Sequence, residues 1–152
     1  MNPTPLPPLP LFPVLAAVLA LGSGCANTLR IHVESTKETN KGQILYMMVR
    51  STDGDVSGLN EGYEQAASRV FATAAAVAAD PSDKSDKKVQ AILPGKPITF
   101  SMPRPEQKQL ALYFFFSEPG AHWMTPIDPP MPSEIYVTLG THSIKEVSVH
   151  RR

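Results

Sequence analysis

The chain has 152 residues, 42% of them hydrophobic, with fourteen basic and fourteen acidic side chains and no net charge. Neutrality argues against nucleic acid as a partner, because a basic face supplies most of that affinity. A single cysteine excludes an internal disulfide framework, so the fold is held by packing.

Residues 11–21 are apolar except for Pro13, and Gly22, Ser23, Gly24 and the lone Cys25 follow. A helix of that length rises about 16 Å, too short for a hydrocarbon core of about 30 Å. It has the size of the apolar region of an export signal, completed by small residues before a cut site. A cysteine at that junction reads as a bacterial lipoprotein signal spanning residues 1–24, cleaved before Cys25, whose sulfur and new N-terminus are then acylated. Gly22 stands where such signals usually carry Leu, and residues 1–10 hold five prolines and no Lys or Arg. The alternative is an ordinary buried or free thiol. All charged residues follow Cys25, and the rest of the chain is one domain of common size, large enough to bury a core. Residues 25–28 form a short lipidated tether, and residues 29–150 form the domain.

Leu29, Ile31 and Val33 alternate with Arg30, His32 and Glu34, a strand with one face toward a core and one toward water. Nothing nearby pairs with His32 as a metal site would need. Residues 35–42 are polar and end in Asn40-Lys41-Gly42, which reads as a hairpin loop. Ile44 to Val49 are apolar without a break, as in a strand covered on both faces, one of them by a helix. Residues 52–58 are turn-like. Their aspartates invite a calcium reading, but the twelve-residue loop with its closing Glu is missing.

At Leu59 the period changes to steps of three and four (Tyr63, Ala66, Ala67, Val70, Phe71, Ala74, Val77), predicting a helix over 59–79 that Asp80-Pro81 ends. Residues 82–88 read as a solvated connector. Short strands are expected at 89–93 and 98–102 across the Pro94-Gly95 turn, and a central strand at 110–116. Residues 117–133 are proline-rich and read as irregular, with Trp123 either plugging the core or anchoring an interface. Strands at 135–139 and 144–149 close the chain. Seven short strands and one inserted helix predict a mainly β fold, an antiparallel sandwich.

This order of parts resembles the type VI secretion lipoprotein family, TssJ or VasD. The resemblance spans residues 29–149. It is carried by Cys25, by the strand ending Met48-Val49-Arg50 before the helical insertion, by the aromatic strand closing on Phe116, Glu118 and Pro119, and by Trp123. Members usually carry Arg where this chain has Ser117, and often a longer first loop. The resemblance implies a transthyretin-like β-sandwich with an inserted helical segment, lipid-anchored in the outer membrane and facing the periplasm. It implies docking of the periplasmic domain of the inner-membrane component TssM as a structural part of the membrane complex. Exposed polar residues at the first loop make Thr36, Lys37, Glu38, Thr39, Asn40 and Lys41 the expected contacts, against the plainer reading of a solvated turn.

No catalytic residue, metal, cofactor or small-molecule substrate is expected. His32, His122, His142 and His150 are scattered along the chain, and the Gly-x-Ser-x-Gly motif of a hydrolase is missing. Two other readings are a transthyretin-like hydrolase and a small-ligand or glycan-binding periplasmic lipoprotein with Trp123 and Tyr136 as stacking platforms.

Overall fold

A computed structural model describes residues 27–52, 62–71, 86–106 and 108–151. The signal segment, Cys25, the turn at 53–58 and the flanks of the expected helix at 59–61 and 72–79 lie outside the described residues. Eight strands and one α-helix are described: β1 (Thr28–Glu34), β2 (Leu45–Thr52), α1 (Tyr63–Phe71), β3 (Asp86–Ile92), β4 (Ile98–Pro103), β5 (Gln109–Phe115), β6 (Met124–Ile127), β7 (Glu134–Leu139) and β8 (Ile144–His150). They form two four-stranded sheets, in the orders β4-β1-β7-β8 and β3-β2-β5-β6.

The alternation in β1 buries Leu29, Ile31 and Val33 completely and leaves the intervening residues on the outer face. These three meet Leu45, Met47 and Val49 of β2, Leu110, Leu112 and Phe114 of β5, and Ile135, Val137 and Leu139 of β7 in one core between the sheets. Each large apolar side chain withdrawn from water contributes roughly 2 kcal/mol, which suffices without a cross-link. The unbroken apolar run in β2 has the expected cause. Its other face, with Met48, joins Ala111, Tyr113 and Phe115 of β5 under Tyr63, Ala66, Ala67 and Val70 of α1.

Four expectations change. Residues 35–42 do not close a hairpin, because β1 and β2 belong to different sheets and the loop carries the chain across the core. The pairing is not wholly antiparallel. β1 runs parallel to β7, with Ile31 opposite Ile135 and Val33 opposite Val137, while β4 flanks its other side antiparallel. The proline-rich stretch holds a further strand, β6, paired with β5 from Leu110–Ile127 to Tyr113–Met124. Pro126 is tolerated there because β6 is an edge and needs no donor on its open side. Residues 86–88, expected in a connector, begin β3.

Strand direction sorts the connections by end. The crossovers β1–β2 and β3–β4 and the hairpin turns β5–β6 and β7–β8 gather at one end of the sandwich. Asn27 and the connections β4–β5 and β6–β7 lie at the other, where Arg104 N–H donates to Asn27 O at 2.8 Å.

Candidate docking site

The end carrying the four turns is built around Asn40. The β1–β2 crossover tightens into a 3-10 turn, Thr39–Gly42, in which Asn40 (φ 52°), Lys41 (φ 56°) and Gly42 (φ 76°) are left-handed in succession. Asparagine and glycine tolerate that region, whereas lysine takes it at a cost. The Asn40 carboxamide is fully used. Its Nδ2 donates to Gln43 O and Ile44 O, both at 3.1 Å, and its Oδ1 accepts from Ser117 N at 2.6 Å and from Ser117 Oγ at 2.9 Å. Its backbone N–H donates to Thr141 O at 2.8 Å. One buried residue therefore ties the first loop to the β5–β6 turn through its side chain and to the β7–β8 turn through its backbone N–H. Thr39, also buried, accepts the Thr36 N–H on Oγ1 at 3.1 Å.

The six residues expected from the sequence thus divide. Thr39 and Asn40 are buried and frame the loop, while Thr36, Lys37, Glu38 and Lys41 are exposed. The β3–β4 turn packs beside them: Gly95 N–H donates to Ser35 Oγ at 3.1 Å, and a Cβ on Gly95 (φ 76°) would lie 2.9 Å from Lys37 Cγ. Lys41 Nζ donates to Glu118 Oε1. That ammonium holds the Glu118 carboxyl below its ordinary range, with a smaller contribution from His142. The Thr36 side chain, followed by the backbone, lowers Glu38 likewise. Both carboxylates are solvent-exposed, so these pairs set the charge pattern of the loop end more than its stability.

Sequence reasoning missed the part played by Ser117, Gly120 and His122. Gly120 N–H donates to His142 O and Ile144 N–H donates to His122 O, each at 2.7 Å, which locks the β5–β6 turn onto the β7–β8 turn. The Glu-Pro-Gly run at 118–120 was the available signal, since Pro and Gly mark turns.

Trp123 lies against Tyr63 (ring centroids 5.1 Å apart) and Tyr113 (5.7 Å), half-buried between the two apolar clusters. Tyr136 stacks on His32 at 4.5 Å and 13°, with His150 at 5.0 Å. The two rings weighed as stacking platforms therefore both pack against other rings of the chain. His32 Nδ1 is 3.1 Å from Thr99 Oγ1. Among the described residues no three of His, Cys, Asp and Glu converge as metal ligands, and no helix is long and apolar enough to cross a membrane.

Solved structures share this architecture. The type VI secretion lipoprotein TssJ1 from Pseudomonas aeruginosa aligns with a TM-score of 0.63 at 15% identity, covering 83% of this chain and 98% of its own. Serratia marcescens Lip, a membrane-bound component of the type VI secretion system, aligns with a TM-score of 0.63 at 11% identity, covering 80% and 96%. A chain in the structure of the type VI secretion protein TssM C-terminal domain from EAEC aligns with a TM-score of 0.62 at 13% identity, covering 80% and 98%. At such identities the likeness is one of fold, and it bears out the transthyretin-like sandwich with an inserted helix. No curated protein matches the chain in sequence. Residues 46–139, more than half of the chain, match the family described as IglE, N-terminal domain. The chain belongs to the IglE N-terminal domain family, whose match and fold bear out the resemblance to type VI secretion lipoproteins.

Proposed function

We propose that the chain is a non-catalytic, lipid-anchored component of the type VI secretion membrane complex, held in the outer membrane through acylated Cys25 and docking the periplasmic domain of TssM. One observation supports the reading: Asn27, in the expected tether, and the gathered turns lie at opposite ends of the sandwich, so a domain anchored through that tether turns its loop end away from the membrane. β1 spans about 20 Å at roughly 3.3 Å per residue, which is the stand-off between anchor and dock. A bacterial lipoprotein cysteine normally carries three acyl chains, and more than one is needed for durable attachment. Confinement to a surface raises the effective concentration toward a membrane-bound partner, so modest loop contacts suffice. Lys37, Glu38 and Lys41 make those contacts, and Asn40 and Thr39 hold them in place.

The test pairs two substitutions. Cys25→Ser moves the protein from the membrane fraction to the soluble one. Lys37→Glu combined with Glu38→Lys leaves folding intact and weakens capture of the TssM periplasmic domain. Unchanged capture by this double variant sinks the loop assignment, and unchanged membrane retention of Cys25→Ser sinks the anchor.

A further inference from the structure

Among the described residues the two sheets have four edge strands, and three of these are blunted. β6 has four residues and contains Pro126, and β4 follows Pro97 and ends in Pro103. β8 has a register shift against β7, and its first N–H already donates to His122 O. Bulges, prolines and short length are the usual ways in which proteins keep an edge from pairing. β3 has none of these. It runs seven residues in unbroken register with β2, from Leu45–Ile92 to Ser51–Asp86, with no proline.

The exposed apolar residues gather along that edge. Of the five large hydrophobics exposed among the described residues, Val89 (47%) lies on β3, Leu93 (47%) follows it, and Ile44 (53%) flanks the same terminal pair, Leu45–Ile92. Phe71 (61%) meets Tyr46 at a near-perpendicular 86°, and Tyr46 pairs with Ala91. Alternation along β2 and β3 puts Ile44, Tyr46, Val89, Ala91 and Leu93 on one face. The rim is basic: Lys88 and Lys96 are exposed along the edge and its turn.

We propose that β3 is an acceptor edge that takes up an extended segment of another protein as a fifth strand. The segment alternates apolar residues, which lie over Val89, Ala91 and Leu93, with acidic residues, which face Lys88 and Lys96. Main-chain pairing supplies affinity, and the alternate side chains supply choice of partner. The inference is independent of the loop docking proposed above, since it uses a sheet edge and a different set of side chains.

The probe is a short acetylated peptide alternating valine with glutamate, added to the full chain in detergent micelles and followed by amide hydrogen exchange. Its controls are the valine–lysine peptide and the same valine–glutamate peptide N-methylated along one edge. The expected result is protection, by about tenfold or more, of the β3 amides that do not pair with β2. That protection is lost with the N-methylated peptide and reduced by raised salt. Lys88→Glu with Lys96→Glu weakens the glutamate peptide about fivefold, the size of one or two cross-strand charge pairs, and strengthens the lysine peptide. Val89→Thr, which keeps the strand, weakens both. Protection at β4 or β8 instead, or equal protection by both peptides, overturns the proposal. So do β3 amides already protected in the isolated chain, which would mean that residues 72–85 occupy the edge. A dimer broken by Lys88→Glu would mean that a second copy does, and overturns it equally.

Discussion

Replacing Asn40 by alanine removes the side chain that binds the first loop to the β5–β6 turn and leaves the backbone bond to Thr141 in place. Four hydrogen bonds go: two donated to Gln43 O and Ile44 O, and two accepted from Ser117. Each is worth about 1 kcal/mol net, but Ser117 is exposed and water can re-satisfy it, so the sum is taken at about 2 kcal/mol. Alanine at φ 52° gives up the tolerance of asparagine for left-handed backbone, adding about 1 kcal/mol. The expected loss is about 3 kcal/mol, or about 10 °C in Tm for a domain of this size. Urea unfolding followed by fluorescence of Trp123, the only tryptophan, reads it directly. Asn40→Asp sharpens the test. It keeps an acceptor for Ser117 but turns an anionic oxygen toward two carbonyls, so its destabilisation is greater at neutral pH than when the acid is protonated. A loss below about 1 kcal/mol for Asn40→Ala, or no pH dependence for Asn40→Asp, would refute the hub.

Trp123→Ala opens the seam between the two apolar clusters and, from a half-buried position, costs about 2 kcal/mol by urea unfolding followed by circular dichroism. Unchanged stability would instead make Trp123 an interface anchor. Tyr63→Phe deletes the hydroxyl that donates to Phe116 O and costs about 1 kcal/mol in the same assay. Burial, with the Glu64 charge adding to it, raises the Tyr63 hydroxyl above its ordinary 10.0. The folded state therefore keeps this proton where the unfolded chain releases it, so the stabilisation is complete below pH 10 and lost as pH rises through the folded value. Tyr63→Phe should flatten that alkaline slope, and an unchanged slope would assign it to another group.

Local patterning carried most of the fold. The period of two in β1 marked its core face, and the doubly apolar run of β2 called for a covering helix, which Tyr63, Ala66, Ala67 and Val70 provide. What stayed hidden depends on residues far apart in the chain. The parallel partner of β1 lies about a hundred positions away, and nothing in residues 28–34 distinguishes a parallel neighbour from an antiparallel one. β6 was hidden by Pro126, which argues against a strand until its edge position is known. Within the candidate site, the loop was legible as polar and exposed on average. The burial of Asn40 was not, because it needs Ser117 and Thr141 to arrive from two other turns.

The place of β1 has a mechanical consequence. It is an interior strand, bonded on one side to β4 and on the other to β7, and it carries the connection to Asn27. A pull entering at Asn27 and resisted at the far loops runs along the strand axis, across hydrogen bonds that are perpendicular to it on the β4 side and slanted on the β7 side. Such a load shears both ladders at once instead of unzipping them pair by pair, so a tug at Asn27 is shared by the whole strand.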